Sequence, residues 1–307
     1  MTASRRFSVA WIVTAAAMIL TAGAVAQAGA QPPVSEDAWR KALDQAVGSR
    51  DVEGATRMIN VALARRLPGA DKGLAEALKS PNVWIRRAAL RGIVALGGPS
   101  TIETLVQGLG DPSPLVRLDA SMLAGGAPPA AEGANRLVDA LLERLTDERR
   151  GVREQAARAL GRLGSPTAYY GLSSTATGDR EAAVRVAAVE ALGRVGGEGA
   201  PFTMREVLEQ DEDDRVRAAA CVSLGLLKPT FAVEALTPAL KDISGLTRAA
   251  ATEGLALVGD EEAVKALVGS LALPDKDLRA AATRAIGMIP GQPALAELRK
   301  LLRYDQP

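Results

Sequence analysis

Apolar residues recur along much of this chain with the period of an amphipathic helix. The segment 152–164 is the clearest case, since its apolar positions follow one another at intervals of one, three and four residues. Several are alanine, whose small side chain allows a second helix to approach closely, and Gly164 suits the left-handed conformation that ends a helix. We predict a helix here, with an apolar face made of Val152, Ala156, Ala159, Leu160 and Leu163.

The same pattern occurs seven times when the sequence is aligned on an arginine. Successive arginines are 31, 36, 32, 32, 31 and 31 residues apart, and alanine always follows the arginine by three positions. Self-similarity at a period of this length is typical of stacked repeats. The aligned arginines are Arg86, Arg117, Arg153, Arg185, Arg217, Arg248 and Arg279.

A second apolar-periodic segment precedes the arginine helix of each repeat, for example at 102–106, 137–142 and 263–268. The repeating unit is therefore a helix, a turn and a helix, and neither helix can bury its apolar face alone. Stacking the units solves this problem. We predict an all-α fold, an α-solenoid of about seven stacked helix–turn–helix repeats with terminal capping helices.

The predicted array extends over 70–307, with a last helix at 293–302 that caps it. Two helices that do not match the repeat, at 35–47 and 52–67, make up an N-terminal capping segment over 35–69. The longest spacing places its extra residues in a surface loop around 125–133, where glycine and proline are frequent.

An aspartate precedes the arginine by six positions in five of the seven repeats. We interpret the pair as structural, because a contact that recurs once per repeat is what stacking requires. The aspartate is expected to cap the second helix, and the arginine to reach the aspartate or turn carbonyls of its own or the next repeat. The aspartates are Asp111, Asp147, Asp179, Asp211 and Asp242.

The recurring pattern D-x5-R-x2-A-x3-(L/I)-G resembles short HEAT-like repeats of the kind first associated with phycobilisome lyases. The resemblance covers about 70–302 and implies the repeat fold. It is weak for function, because this fold serves many activities. Some lyase-like relatives attach or isomerise bilin chromophores, so the resemblance leaves a bilin lyase or isomerase acting on an antenna protein as an alternative.

The N-terminus has the pattern of an export signal. Arg5 and Arg6 precede an uncharged apolar stretch at 7–20, and Ala24-Val25-Ala26 fits a small-x-small cleavage site. We predict a signal peptide over 1–26, cleavage after Ala26, a flexible lead-in over 27–34, and a periplasmic or secreted protein that is not membrane-bound. Cleavage before Gln31 and an uncleaved anchor are the alternatives, and the export route is left open.

Composition excludes several classes of function. The sequence contains no histidine, which removes His-based triads, His metal ligands and a His-Glu di-iron site. Without Arg5 and Arg6, 35 basic residues face 36 acidic ones, so we expect no nucleic-acid partner. The single cysteine, Cys221, is expected to be a packed thiol, and the acidic run 209–214 a solvated turn rather than a cation site. No cofactor is expected.

Positions two, five and nine after the arginine share one exposed face of the arginine helices by helical spacing, and this face varies between repeats. We expect this face to bind a protein or peptide along the concave side of the solenoid, which makes the chain a non-enzymatic scaffold. The alternative is that its apolar stripe packs against neighbouring repeats or a terminal cap. The predicted partner-binding residues are Arg158, Arg162, Glu190, Arg194, Leu226, Leu257 and Met288.

Overall fold

The computed structural model describes residues 35–128 and 133–291, which form helices joined by short turns, with no strand among them. The predicted signal peptide, the lead-in and the final helix at 293–302 lie outside these residues. The chain divides into two compact units: unit 1 ends at Leu163 and unit 2 begins at Gly164.

Unit 1 consists of four helical hairpins, each made of a first helix and a second helix. Second helices pack on second helices of the neighbouring hairpins, and the first helices form the next layer. The helices are α1 (Glu36–Gly48), α2 (Val52–Arg65), α3 (Ala70–Ala77), α4 (Val83–Leu96), α5 (Thr101–Leu109), α6 (Pro114–Ala124), α7 (Ala134–Arg144) and α8 (Arg150–Leu163).

Unit 2 repeats this arrangement with four further hairpins. A short 3₁₀ turn, Pro166–Ala168, leads into its first helix. The helices are α9 (Tyr169–Gly178), α10 (Ala182–Val195), α11 (Ala200–Gln210), α12 (Asp214–Leu227), α13 (Ala232–Ala239), α14 (Gly245–Val258), α15 (Glu261–Ser270) and α16 (Lys276–Met288). The stacked helical hairpins predicted from the sequence are confirmed.

The first hairpin, α1–α2, lacks the repeat arginine but packs like the others. The Trp39 side chain of α1 is fully buried, and its indole Nε1 donates to the carbonyl of Met58 in α2 at 2.6 Å. Its ring lies against Gly73 of α3, where an added Cβ would be 2.9 Å from the ring. Ala55 stands four residues after the N-cap Asp51, the position that arginine holds in later second helices.

Every alanine that follows a repeat arginine by three positions is fully buried. The reason is the close crossing of helices at this point. At α5, for example, a Cβ added to Gly108 would lie 3.0 Å from the Cβ of Ala120 in α6. A larger side chain would push the two helices of a hairpin apart. The buried alanines are Ala89, Ala120, Ala156, Ala188, Ala220, Ala251 and Ala282.

The repeat arginine closes the turn that precedes its own helix. In all seven repeats its Nη1 donates to the backbone carbonyl six residues earlier, so that a carbonyl in the turn between the helices is satisfied by a side chain. The acceptors are the carbonyls of Ser80, Asp111, Asp147, Asp179, Asp211, Asp242 and Leu273, at 2.7 to 2.9 Å.

Within each unit, the other edge of the guanidinium binds the aspartate of the next repeat. Nε and Nη2 donate to the two carboxylate oxygens, which is the bidentate geometry of a strong charge-assisted pair. The Nε–Oδ2 and Nη2–Oδ1 distances are 2.8 and 2.9 Å for Arg86–Asp111, 2.7 and 3.2 Å for Arg117–Asp147, 2.7 and 2.8 Å for Arg185–Asp211, and 2.9 Å in both bonds of Arg217–Asp242.

The aspartates do not cap the second helix directly, and that detail of the prediction is wrong. Each stands two residues before the N-cap, and its Oδ1 accepts from that later backbone amide, as Asp242 does from Ser244 N at 2.7 Å. Aspartate commonly organises a turn in this way, through a bond to the backbone two residues on. The aspartate thus shapes the turn while its carboxylate also receives the preceding repeat's arginine.

The last repeat uses an aspartate that the alignment did not select. Leu273 stands six positions before Arg279, and Asp275 receives the fork of Arg248 instead, with Nε–Oδ2 at 2.7 Å. Asp275 is also the N-cap of α16, where it accepts from the amides of Asp277 and Leu278.

Asp147 is the most deeply buried carboxylate of these pairs, with 2% of its side chain exposed. Burial raises its pKa, but hydrogen bonds from Arg117 and from the Arg149 amide, with the nearby positive charges, lower the pKa by more. The net result is a pKa below the ordinary value of 3.8. The ionised carboxylate therefore stabilises the fold.

We expect Asp147→Asn to lower the free energy of unfolding by about 3 kcal/mol at neutral pH, because it leaves the Arg117 guanidinium without its counter-charge. Since the folded-state pKa of Asp147 is lowered, the stabilisation is present above pH 3.8 and is lost as the pH falls through the folded-state pKa. The difference in free energy of unfolding between variant and wild type should therefore shrink as the pH is lowered. Urea unfolding followed by circular dichroism measures this difference.

The control is Glu143→Gln, which removes a carboxylate that is 72% exposed and pairs with Arg144 at 3.1 Å. Exposed pairs contribute about 0.5 kcal/mol or less, so this variant should unfold like the wild type. An equal loss in both variants would contradict a stacking role for the buried pair.

Two second helices of unit 2, α12 and α14, approach each other closely at a pair of glycines. A Cβ added to Gly225 of α12 would lie 2.5 Å from the carbonyl oxygen of Gly254 in α14. Because that neighbour is backbone, we expect Gly225→Ala to lower the free energy of unfolding by about 1–3 kcal/mol. The measurement is again urea unfolding.

Gly287 offers a matched control at the same repeat position, eight residues after Arg279. No described atom lies within 4 Å of a Cβ added there. Gly287→Ala should therefore raise the free energy of unfolding, by up to about 1 kcal/mol, through helix propensity alone. If both substitutions change the free energy of unfolding in the same direction, then contact with a neighbouring backbone is not the reason for glycine at this position.

Candidate interaction surface

Repeat positions five and nine after the arginine lie on one side of the second helices. We call this surface the second-helix face. Positions one before, three after and seven after the arginine are buried in every repeat. The side chains that differ most between repeats therefore project from the second-helix face, which makes it the candidate site for specific recognition.

In unit 1, the predicted residues Arg158 and Arg162 lie on α8. Arg158 is half-buried, and its Nε and Nη2 each donate to Glu154 of the same helix at 3.2 Å. Arg162 is exposed at the C-terminal end of the helix, and its side chain lies against Gly125 of the preceding repeat. Both residues are on the predicted face, but Arg158 is already engaged by a carboxylate.

In unit 2, the predicted residues follow the same positions on α10, α12, α14 and α16. Glu190 is half-buried and Arg194 is exposed, both on α10. Leu226 is 55% exposed and Met288 is 77% exposed, whereas Leu257 between them in repeat order is half-buried. The ends of three consecutive second helices thus present apolar side chains, two of them largely in solvent.

An exposed cluster on α4 and α6 of unit 1 was not predicted from the sequence. Trp84 is 52% exposed, and the Arg87 guanidinium lies 4.9 Å from the centre of its ring. Arg87 and Arg91 both donate to Asp119 of α6, which is 3% exposed. One signal was visible in the sequence: Asp119 occupies the position two after the arginine, where five of the other repeats have alanine.

A second exposed group, on the first helices of unit 2, also escaped prediction. Phe202 of α11 is 62% exposed and stacks on Phe231 with ring centres 5.2 Å apart. Tyr170 at the start of α9 is 82% exposed and contacts Tyr169 edge-on at 4.9 Å. These side chains lie on the first helices rather than on the second-helix face.

The described residues hold no group of three or more His, Cys, Asp or Glu side chains that suits a metal ion. In the acidic run, Asp211 binds Arg185, and Asp213 is the N-cap of α12. The carboxylate of Asp213 pairs with Arg215, which holds its pKa down at about 2. The run is therefore a set of turn and cap residues.

Cys221 is fully buried in α12, and burial raises the pKa of its thiol to about 12. The predicted packed thiol is therefore confirmed. A neutral and inaccessible thiol is also a poor nucleophile. Within the described residues, none of the helices combines the length and the apolar character that a membrane crossing requires.

Solved structures similar to this chain share its fold at low sequence identity. The Escherichia coli protein YibA is 18% identical, with a TM-score of 0.58, and the match covers 83% of this chain and 92% of that one. An engineered protein is 19% identical, with a TM-score of 0.51 and coverage of 82% and 78%. These likenesses concern the fold alone.

The complex of CpcE and CpcF of phycocyanin lyase from Nostoc is also similar, at 21% identity over 75% of this chain and 92% of that one. Its TM-score is 0.44, which is too low to bear on function. A search of curated protein sequences gave no significant match.

The family model for HEAT repeats matches residues 71–127, 138–225 and 233–307, which is well over half of the chain. Its matches contain all seven repeat arginines and the aspartates that bind them. The stacked hairpins, the buried alanines and the arginine pairs account for this match in physical terms. The chain belongs to the HEAT-repeat family.

Proposed function

We propose that this protein is an exported, non-enzymatic scaffold that binds a protein or peptide partner on its second-helix face. The observation that carries the proposal is the exposure of Leu226 and Met288 at equivalent positions of α12 and α16. Exposed apolar side chains that are grouped on one surface mark interaction sites, whereas single scattered ones are ordinary. Leu226 and Met288 hold the same repeat position, so we interpret them as parts of one binding surface.

The location rests on the sequence pattern of the N-terminus. A positive start, an apolar stretch without charge and a small-residue cleavage site form an export signal. The partner would then be a protein of the cell envelope or its surroundings.

The binding test compares the double variant Leu226→Ser/Met288→Ser with the wild type in affinity capture from the native cell envelope. Proteins held by the apolar stripe should be retained by the wild type and lost with the variant. Both side chains are exposed, so the free energy of unfolding should change by no more than about 0.5 kcal/mol for each substitution.

Ile243→Ser is the matched control, since Ile243 is 95% exposed but lies in the turn between α13 and α14. It removes a comparable apolar surface outside the second-helix face. Capture of the same proteins by all three forms would overturn the role of the stripe. A large loss of stability in the double variant would show that the stripe is part of the core.

Export has its own test, which is N-terminal sequencing of the protein recovered from the envelope fraction of the producing cells. The expected first residue is Gln27, or Gln31 if the second small-residue site is used. Replacing Ala24, Ala26, Ala28 and Ala30 by Leu removes both small-residue sites and should leave the chain uncleaved. A full-length product in the cytoplasm of cells that make the unaltered protein would contradict export.

A further inference from the structure

A groove in unit 1 combines an aromatic wall with two oriented guanidinium groups. It lies between α2 and α4 and has a volume of about 340 Å³. We call it the Trp84 groove. Its lining includes Trp84, Arg87 and Arg91 from α4 and Asn60, Leu63 and Ile59 from α2.

The guanidinium groups are held in place by a buried carboxylate at the edge of the groove. Asp119 accepts from Arg87 Nε at 2.8 Å, from Arg87 Nη2 at 3.2 Å and from Arg91 Nη2 at 2.8 Å. The Asp119 side chain is 3% exposed, whereas those of Arg87 and Arg91 are 17% and 44% exposed. A buried acid therefore fixes the direction of two partly exposed cations before any ligand arrives.

The charges of this cluster do not balance. Two guanidinium groups share the carboxylate of Asp119, and no acidic residue is among those that line the groove itself. Each arginine also has further N–H donors beyond those that bind Asp119. The formal excess of one positive charge matches one incoming carboxylate, which would accept a charge-assisted hydrogen bond from Arg91.

Most of the remaining surface of the groove is apolar, with Asn60 and Thr56 as its polar side chains, and it suits a peptide rather than a small inorganic anion. Leu63, Ile59 and Ala88 line it, and the exposed Trp84 ring forms a wall already stacked on Arg87. A large aromatic ring beside an arginine is the usual composition of an interface anchor point. The groove thus offers one contact for a carboxylate and an adjoining contact for an apolar side chain.

We propose that the Trp84 groove binds a peptide segment of the partner in which an aspartate or glutamate adjoins an aromatic or aliphatic residue. The inference rests on the proposed scaffold function and gives it a partner chemistry. Arg91 and Trp84 carry the recognition, while Asp119 is a positioning residue that holds the arginines.

The test is selection from a displayed library of random linear peptides on the chain beginning at Gln27. Enriched peptides should carry an acidic residue next to an apolar one, and their synthetic forms should change the tryptophan fluorescence. Trp39 is fully buried, which leaves Trp84 as the responsive indole of residues 35–128 and 133–291. Trp84→Phe should remove the fluorescence response.

The key variant is Arg91→Gln, which keeps both bonds from Arg87 to Asp119 and so preserves the fold. We expect it to weaken binding of the selected peptides roughly tenfold or more, as does replacing their acidic residue by the amide. The matched control is Arg57→Gln, which removes an exposed charge from α2 outside the groove lining and should bind normally.

Three results would overturn the proposal: failure to enrich any peptide, enriched peptides without an acidic residue, or equal binding by the Arg91→Gln variant. The Leu226→Ser/Met288→Ser variant separates this inference from the proposed function. If that variant still captures the envelope proteins while Arg91→Gln loses the peptides, the apolar stripe fails and the groove stands. If peptide selection fails while capture depends on the stripe, the groove fails alone.

Discussion

The stacking of this chain depends on the shape of the arginine side chain. A guanidinium carries donors on two edges, so one residue can close its own turn and bind a carboxylate of the next repeat at the same time. A lysine ammonium is a point charge and does not offer this planar fork. The cost of burying the aspartate is offset, because its charge is matched by the guanidinium and its remaining oxygen capacity is used by a backbone amide.

The two ends of the second helices are fixed by different means. Near the N-terminal end, the arginine pair joins adjacent repeats through charge. Towards the C-terminal end, small residues do so through contact: a Cβ added to Gly193 would lie 2.9 Å from the Ser223 hydroxyl, and Gly225 almost touches the backbone of Gly254. Because both ends are fixed in this way, stacking does not depend on the outward-facing side chains. These side chains differ between the two units. Unit 1 presents tryptophan and arginines on its outward side, whereas in unit 2 one helix presents Glu190 and Arg194 and two others end in exposed leucine and methionine.

Much of the fold could be predicted from the sequence because its determinants recur at a fixed spacing. The helices, their pairing and the buried alanines all follow from that period. Asp275 could not be found in this way, since it is displaced from the aligned position and only the path of the turn brings it to Arg248. The aspartates six positions before the arginine were recognised from the sequence. Their hydrogen bond to the amide two residues later could not be predicted, because it depends on where each helix begins.

The candidate site was less predictable, for a physical reason. Helical spacing tells which side chains share a face, but not which of them already have partners. Arg158 illustrates this, because Glu154 lies one helical turn before it and binds it. The Trp84 groove was missed because its lining comes from two different hairpins, and a buried aspartate of α6 that looks like an outlier in its own repeat orients arginines of the repeat before it.

Within each unit, the bidentate arginine pairs point from one repeat to the following one, and this gives the stack of repeats a direction. The first arginine repeat shows what this direction requires. The hairpin before it has Ala55 in place of arginine, and Ser80 stands where the next five repeats have aspartate. A copy of an inner repeat placed at the front would bring a carboxylate that no guanidinium reaches. The same copy inserted between two inner repeats would form one arginine–aspartate pair with each neighbouring repeat. Such a stack can therefore gain repeats by insertion between existing ones, whereas the hairpin before the first arginine repeat needs a different sequence.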